Sequence, residues 1–167
     1  MNYKTPNSKV KAKWNIIIGS IFIISFILIP VVNTKAESVS VHANIVWEMT
    51  DIVVQENMIL SWNVDKNDLW SFNTQLFPEG HTADGILVNA LKDYVLPEQP
   101  IGKLIGRIGD FGRKFPMGLS GSIPILPSED GEFLYLSMND DIIGLYGKGF
   151  KDNEGEIIVE VKQIRIK

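Results

Sequence analysis

An all-β sandwich is the fold class that the sequence predicts for the part of the chain beyond residue 36, and three observations predict it. Apolar residues recur there with period two rather than 3.6, the apolar runs are short, and turn residues separate them at frequent intervals. No stretch of this part offers a long amphipathic helix with caps, so many short strands imply an antiparallel sandwich or barrel. The chain has 167 residues, no cysteine and two histidines, which leaves room for about one domain whose core must form by burial alone.

The first 36 residues are different in kind. Lys4, Lys9, Lys11 and Lys13 precede a weakly polar to apolar run from Ile16 to Val32, and no acid occurs before Glu37. This is the pattern of an export signal: a basic end that stays cytoplasmic, an apolar stretch, and the small residues Thr34 and Ala36 where a peptidase would act. The same run, at the short end of what crosses about 30 Å of hydrocarbon, would also serve as an uncleaved signal anchor. Residues 1–36 are therefore expected to be a signal peptide or anchor and 37–167 an exported domain, secreted or held on the outer face of the cytoplasmic membrane. Export without cysteines suits a bacterial protein better than a disulfide-stapled one.

Beyond residue 36 the first expected strand alternates Val39, Val41, Ala43, Ile45 and Trp47 with polar residues. Further strands are expected over 51–55, 58–62, 85–91, 103–108, 122–126, 132–138 and 156–166. Between them lie Pro78-Glu79-Gly80, Pro97-Glu98-Gln99-Pro100 and Ser128-Glu129-Asp130-Gly131, which carry turn chemistry. In 132–138 both faces are mostly apolar, which predicts a central strand. In the last strand Ile157, Val159 and Val161 share a face, and the apolar phase then moves to Ile164 and Ile166; a bulge near Lys162 or Gln163 would produce that shift.

The exported part carries eleven Lys and Arg against twenty Asp and Glu. A net charge of −9 disfavours nucleic acid, whose binding rests on cations that neutralise phosphates. The triplet Asp110-Phe111-Gly112 and the glycines at 106, 109 and 112 lack the context of a kinase or a phosphate loop and are read as a strand corner. Only His42 and His81 are available for a histidine-dependent triad, and Gly118-Leu119-Ser120-Gly121 lacks the spacing of a nucleophile elbow. The carboxylates are too many for the sequence to nominate a glycosidase pair. A non-enzymatic role is expected.

More informative are two oxygen-rich clusters in one excursion: Asn139-Asp140-Asp141 directly after the expected central strand, and Asp152-Asn153-Glu154 before the last one. Calcium takes six to eight oxygens from carboxylates, amides, carbonyls and water, so this excursion is either a calcium loop or a solvated acidic turn.

The segments Leu104-Ile105-Gly106-Arg107-Ile108-Gly109, Ser122-Ile123-Pro124-Ile125, Gly131-Glu132-Phe133-Leu134-Tyr135-Leu136-Ser137-Met138-Asn139-Asp140, Tyr146-Gly147 and Asp152-Asn153-Glu154-Gly155, with Trp62 and Pro78-Glu79-Gly80-His81-Thr82-Ala83-Asp84-Gly85 upstream, resemble the PA-IL-like family of calcium-dependent galactose-binding lectins. The resemblance runs from about Trp62 to Val161. It implies a jelly-roll β-sandwich of the galactose-binding-domain kind, one calcium ion, and glycans or small saccharides as partners. By position it implies Asp140, Asp152 and Asn153 as calcium ligands, with Asp65 near a residue that lends a backbone carbonyl. It implies His81, Asp84 and Asp140 as sugar contacts. Two features depart from the family: the twelve positions from Asp140 to Asp152 make a longer excursion that contains Lys148 and Lys151, and Asp84 replaces a Gln. An ionised Asp accepts hydrogen bonds but cannot donate them, so the sugar need not be galactose. The alternative to a lectin is a tethered structural or protein-interaction sandwich without a ligand. Self-association is left open.

Overall fold

The computed structural model describes residues 36–165. Apart from Ala36, the expected signal or anchor segment lies outside the described residues. Nine strands form two antiparallel sheets: β1 Glu37–His42, β2 Glu48–Val53, β3 Met58–Val64, β4 Trp70–Ser71, β5 Leu104–Ile108, β6 Lys114–Pro116, β7 Ser120–Pro124, β8 Phe133–Met138 and β9 Glu154–Arg165. One sheet runs β1-β9-β3-β7, with β4 added to β9, and the other runs β2-β8-β5-β6. The inward residues of both belong to one core, in which Val41, Leu60, Leu104, Leu134, Leu136 and Ile157 have no exposed surface. Burial at this level contributes about 1.5–3 kcal/mol for each large aliphatic side chain.

The expected central strand is β8, which lies between β2 and β5. Its outer face is also covered: Tyr135 and Ser137 are buried, and the Arg107 guanidinium stacks between the rings of Trp47 and Tyr135 at 4.5 and 4.6 Å from their centroids. Gly109 and Gly112 lie in the turn of the β5–β6 hairpin, with Gly109 at φ 75°, where a side chain would be strained, whereas Gly106 lies within β5, paired with Phe115 and Leu136.

Three expectations need correction. The alternation from Val39 to Trp47 is not one strand, because the chain leaves β1 after His42 and crosses to the other sheet, where β2 begins at Glu48. Ala43 continues the buried phase through the crossing, which is why the pattern ran on. Residues 85–91 form an irregular arm that returns on 98–101 through Ile86 N–H to Ile101 O, Ile101 N–H to Val88 O and Ala90 N–H to Gln99 O. Leu87, Val88 and Leu91 on it are exposed. Finally, β9 has no bulge. It pairs with β3 in unbroken register from Val159 opposite Val64 to Arg165 opposite Met58. Ile164 is exposed, while Gln163 bridges to the end of β2, donating to Val53 O and accepting from Gln55 N–H at 2.9 and 3.0 Å.

Candidate metal centre

The excursion between β8 and β9 opens on three buried residues, Asn139, Asp140 and Asp141, that have different partners. Asn139 is fully buried and acts as a clamp: its Oδ1 accepts from Leu96 N–H at 2.8 Å and its Nδ2 donates to Leu96 O at 2.9 Å and Pro100 O at 3.1 Å. Asp141 is also committed to backbone. Its Oδ1 accepts from the N–H groups of Ile143 and Gly144 at 3.0 Å, and its Oδ2 from that of Tyr146 at 2.7 Å. Those two residues shape the loop; Asp140 and Asp141 both line a pocket there, and Asp140, unlike Asp141, accepts from one neighbouring backbone N–H, that of Asp141 at 2.7 Å.

That pocket, of about 40 Å³, is lined by the carboxylate residues Asp140, Asp141 and Asp152 together with Asn73, Tyr94 and Lys148. Its size admits an ion and a water or two but no sugar ring. Asp140 is pushed up to about 6, first by burial; the Asp141 N–H and the Asn153 side chain oppose the shift, and the nearby charges of Asp152 and Asp141 add to it. Tyr94, stacked on Tyr146 with ring centroids 5.9 Å apart, is pushed up to about 12 by burial and then by the charges of Asp140 and Asp141. Asp152 Oδ2 accepts from Asn73 Nδ2 at 3.1 Å. The Asn153 amide donates to Ala43 O at 3.0 Å, but its Oδ1 is buried with no donor.

A desolvated carboxyl beside other carboxylates, and a buried amide oxygen without a partner, are the defects that a hard cation would relieve. The residues present fit calcium on that ground. No group of three or more His, Asp or Glu side chains among the described residues is arranged to hold a metal by itself, so amide and backbone oxygens would have to complete the shell.

Other residues named from the sequence lie elsewhere. Asp65 closes its own turn: its carboxylate accepts from Asn67 N–H at 2.9 Å, and its backbone carbonyl from Asp68 N–H at 3.0 Å. His81 pairs with Trp70 as an isolated bridge and packs against the rings of Phe72 and Phe77. Because Thr82 O can only accept, the His81 Nδ1 at 3.1 Å from it carries the proton, so Nε2 is an acceptor, buried and without a donor. Burial holds the imidazole below its usual value, against the opposing Thr82 contact. A Cβ on Gly102 would lie 2.6 Å from that Nε2, so the glycine turn closes over it. Asp84 Oδ1 accepts from Leu119 N–H at 3.0 Å. Nothing in the sequence pattern singles out Asn73 or Tyr94, which reach the pocket from the β4 exit and the 86–101 arm. No protein-family model and no curated protein matches the chain.

Asp141→Ala is expected to loosen the excursion, since three N–H groups lose their acceptor. A loss of about 2–3 kcal/mol follows from breaking bonds to a charged group. Hydrogen exchange should quicken at Ile143, Gly144 and Tyr146 while the β8 amides stay protected.

Proposed function

We propose that the chain is an exported lectin-like domain that binds a galactose-type or related sugar through one calcium ion. The observation that carries this reading is the convergence of Asp140 and Asp152, from opposite ends of the excursion, on one ion-sized pocket, with the Asn153 side chain against Asp140 and its Oδ1 buried without a partner. Asp140, Asp152 and Asn153 would hold the ion. When bound, calcium supplies an incomplete oxygen shell that two sugar hydroxyls can enter. Asp140 and Asp152 also provide acceptors for those hydroxyl protons. Asp84 retains Oδ2 as an acceptor, and His81 Nε2 would accept a hydroxyl only if the Gly102 turn shifted.

A jelly roll is the form of sandwich proposed. Without the two-residue β4, the eight remaining strands interleave between the sheets so that the first and last are neighbours in one and the second and next-to-last in the other, which supports that topology. The leader of residues 1–36 supports export, because its basic end and apolar run are those of a signal or anchor.

Calorimetry of the chelator-stripped full chain should give one calcium per chain, and a glycan array should light up only with calcium present. A flat calcium titration together with chelator-independent melts would remove the metal. Calcium binding with a blank array would remove the sugar and leave a metal-stabilised structural domain.

A further inference from the structure

Next to the ion-sized pocket lies a larger open depression of about 470 Å³, lined by Asn44 and Val46 from the β1–β2 crossing and by Ile142, Ile143, Lys148, Phe150 and Lys151 from the excursion. Its volume falls in the range of about 300–1,000 Å³ typical of small-ligand sites. Lys148 lines both cavities. The exported part is strongly acidic, yet this depression has two lysines and no carboxylate in its lining. The ion pairs among the described residues are His42 with Glu48 and Glu156, and Arg113 with Glu129, so neither lysine is paired. Ile142 and Ile143 are exposed beside them.

We propose that this depression is a second subsite, which takes an anionic substituent, carboxylate or sulfate, on the same saccharide whose hydroxyls approach the Asp140–Asp152 pocket. The ligand class is then an acidic sugar. This inference deepens the lectin reading and rests on it. Two unpaired ammonium groups on flexible stems suit a small anion as point charges, and their methylenes with Ile142 and Ile143 offer an apolar wall to the C–H face of a pyranose. The placement also accounts for a cation beside a cation pocket. Lys148 opposes calcium while the depression is empty, and an anion bound there cancels that repulsion. Acidic sugar and calcium therefore strengthen each other by the same factor, as linkage requires.

The test titrates calcium into the full chain alone and with galactose, galacturonate or galactose 6-sulfate, and titrates each sugar in chelator as well. The acidic sugars should tighten calcium by about fivefold or more, at the lower end of common coupling, and galactose by less. The Lys148→Ala/Lys151→Ala variant should bind calcium more tightly than the parent when no sugar is present, since the opposing charge is gone, and lose the difference between acidic and neutral sugars. Salt at 0.5 M should shrink that difference in the parent protein. Equal effects of acidic and neutral sugars, or discrimination that survives in the double variant, overturn the subsite. Phosphatidylserine vesicles that tighten calcium through the lysines while the acidic sugars do not would assign the surface to a membrane and overturn it too. Acid preference in chelator that the double variant abolishes, with no calcium binding, keeps the subsite and removes the metal.

Discussion

Asp140→Asn is expected to raise the melting temperature of the metal-free protein and to abolish the gain that calcium gives. The two signs come from one cause. Asp140 is almost fully buried, and its carboxyl is raised from 3.8 to about 6, mainly by loss of solvent. A carboxyl whose folded value lies above its unfolded value binds more protons when folded, so metal-free stability should rise as pH is lowered from about 7 towards 4. The Asn variant carries no such charge and should show a flatter profile. Allowing for residual solvent screening, the variant should gain about 1–2 kcal/mol at pH 7.5 in chelator, or about 5 °C. With calcium at a hundredfold excess over its Kd, the parent protein gains about 2.7 kcal/mol and overtakes the variant. Thermal melts at pH 4 to 8, with chelator and with calcium, read both effects. A variant that melts lower than the parent in chelator would mean that the carboxylate is already satisfied by the protein, which no ligand role requires.

The parts of this architecture that could be read from sequence are those that depend on contact with water. Alternation placed Ile157, Val159 and Val161 on the buried face of β9, and two apolar faces placed β8 inside its sheet. Partners are another matter. The run 85–91 has the composition of a strand but meets only an irregular return segment, and Ile164 is an exposed residue in a straight strand rather than the mark of a bulge. The site follows the same division. Two oxygen clusters flanking one excursion drew attention to Asp140, Asp152 and Asn153, and Asp140 and Asp152 line one pocket with the Asn153 amide beside them. Within the first cluster, composition does not separate Asp140 from Asn139 and Asp141. Asp140 and Asp141 both line the pocket, and which carboxylate is already committed there depends on the N–H groups of Ile143, Gly144 and Tyr146 that claim Asp141, while Asn139 is held by backbone 43 residues away. Asp65 shows the reverse, since an Asp two residues before Asn67 closes its own turn whatever lies near it in space.

Arg113→Ala should destabilise the protein strongly although it is a change away from the core and the pocket, and it should leave calcium binding alone. Glu129, in the 3-10 turn Pro127–Glu129 before β8, is buried. It receives Arg113 Nε at 2.7 Å, Arg113 Nη2 at 2.9 Å and the Leu126 N–H at 2.8 Å. Burial by itself would push this carboxyl up, but the Arg113 hydrogen bonds, the Leu126 N–H and the guanidinium charge outweigh it and hold the group below its usual value. The same guanidinium donates to Pro124 O at 3.0 Å, so one side chain ties the β5–β6 hairpin to the end of β7 and to the turn that follows. Removing it strands a buried carboxylate, which costs about 3–5 kcal/mol for a fully buried pair. Arg113 is about one-third exposed, so about 2–3 kcal/mol, or about 10 °C, is expected here. Because the folded value is depressed, the stabilisation is present at neutral pH and is lost as pH falls through the carboxylate range, so the parent and variant melts should converge in acid. Arg113→Lys should recover only part, since an ammonium cannot reproduce the two parallel bonds of the fork. A Met pair at 113 and 129 should recover more than Lys does, because it removes the stranded charge along with its partner. The ion pair lies at the end of the sandwich where Ile108 pairs with Leu134, and the pocket lies beyond the other end of the same ladder, where Leu104 pairs with Met138. Calcium affinity, measured below the melting range of the variants, should therefore match that of the parent; a change in it would mean that the two ends communicate through β8.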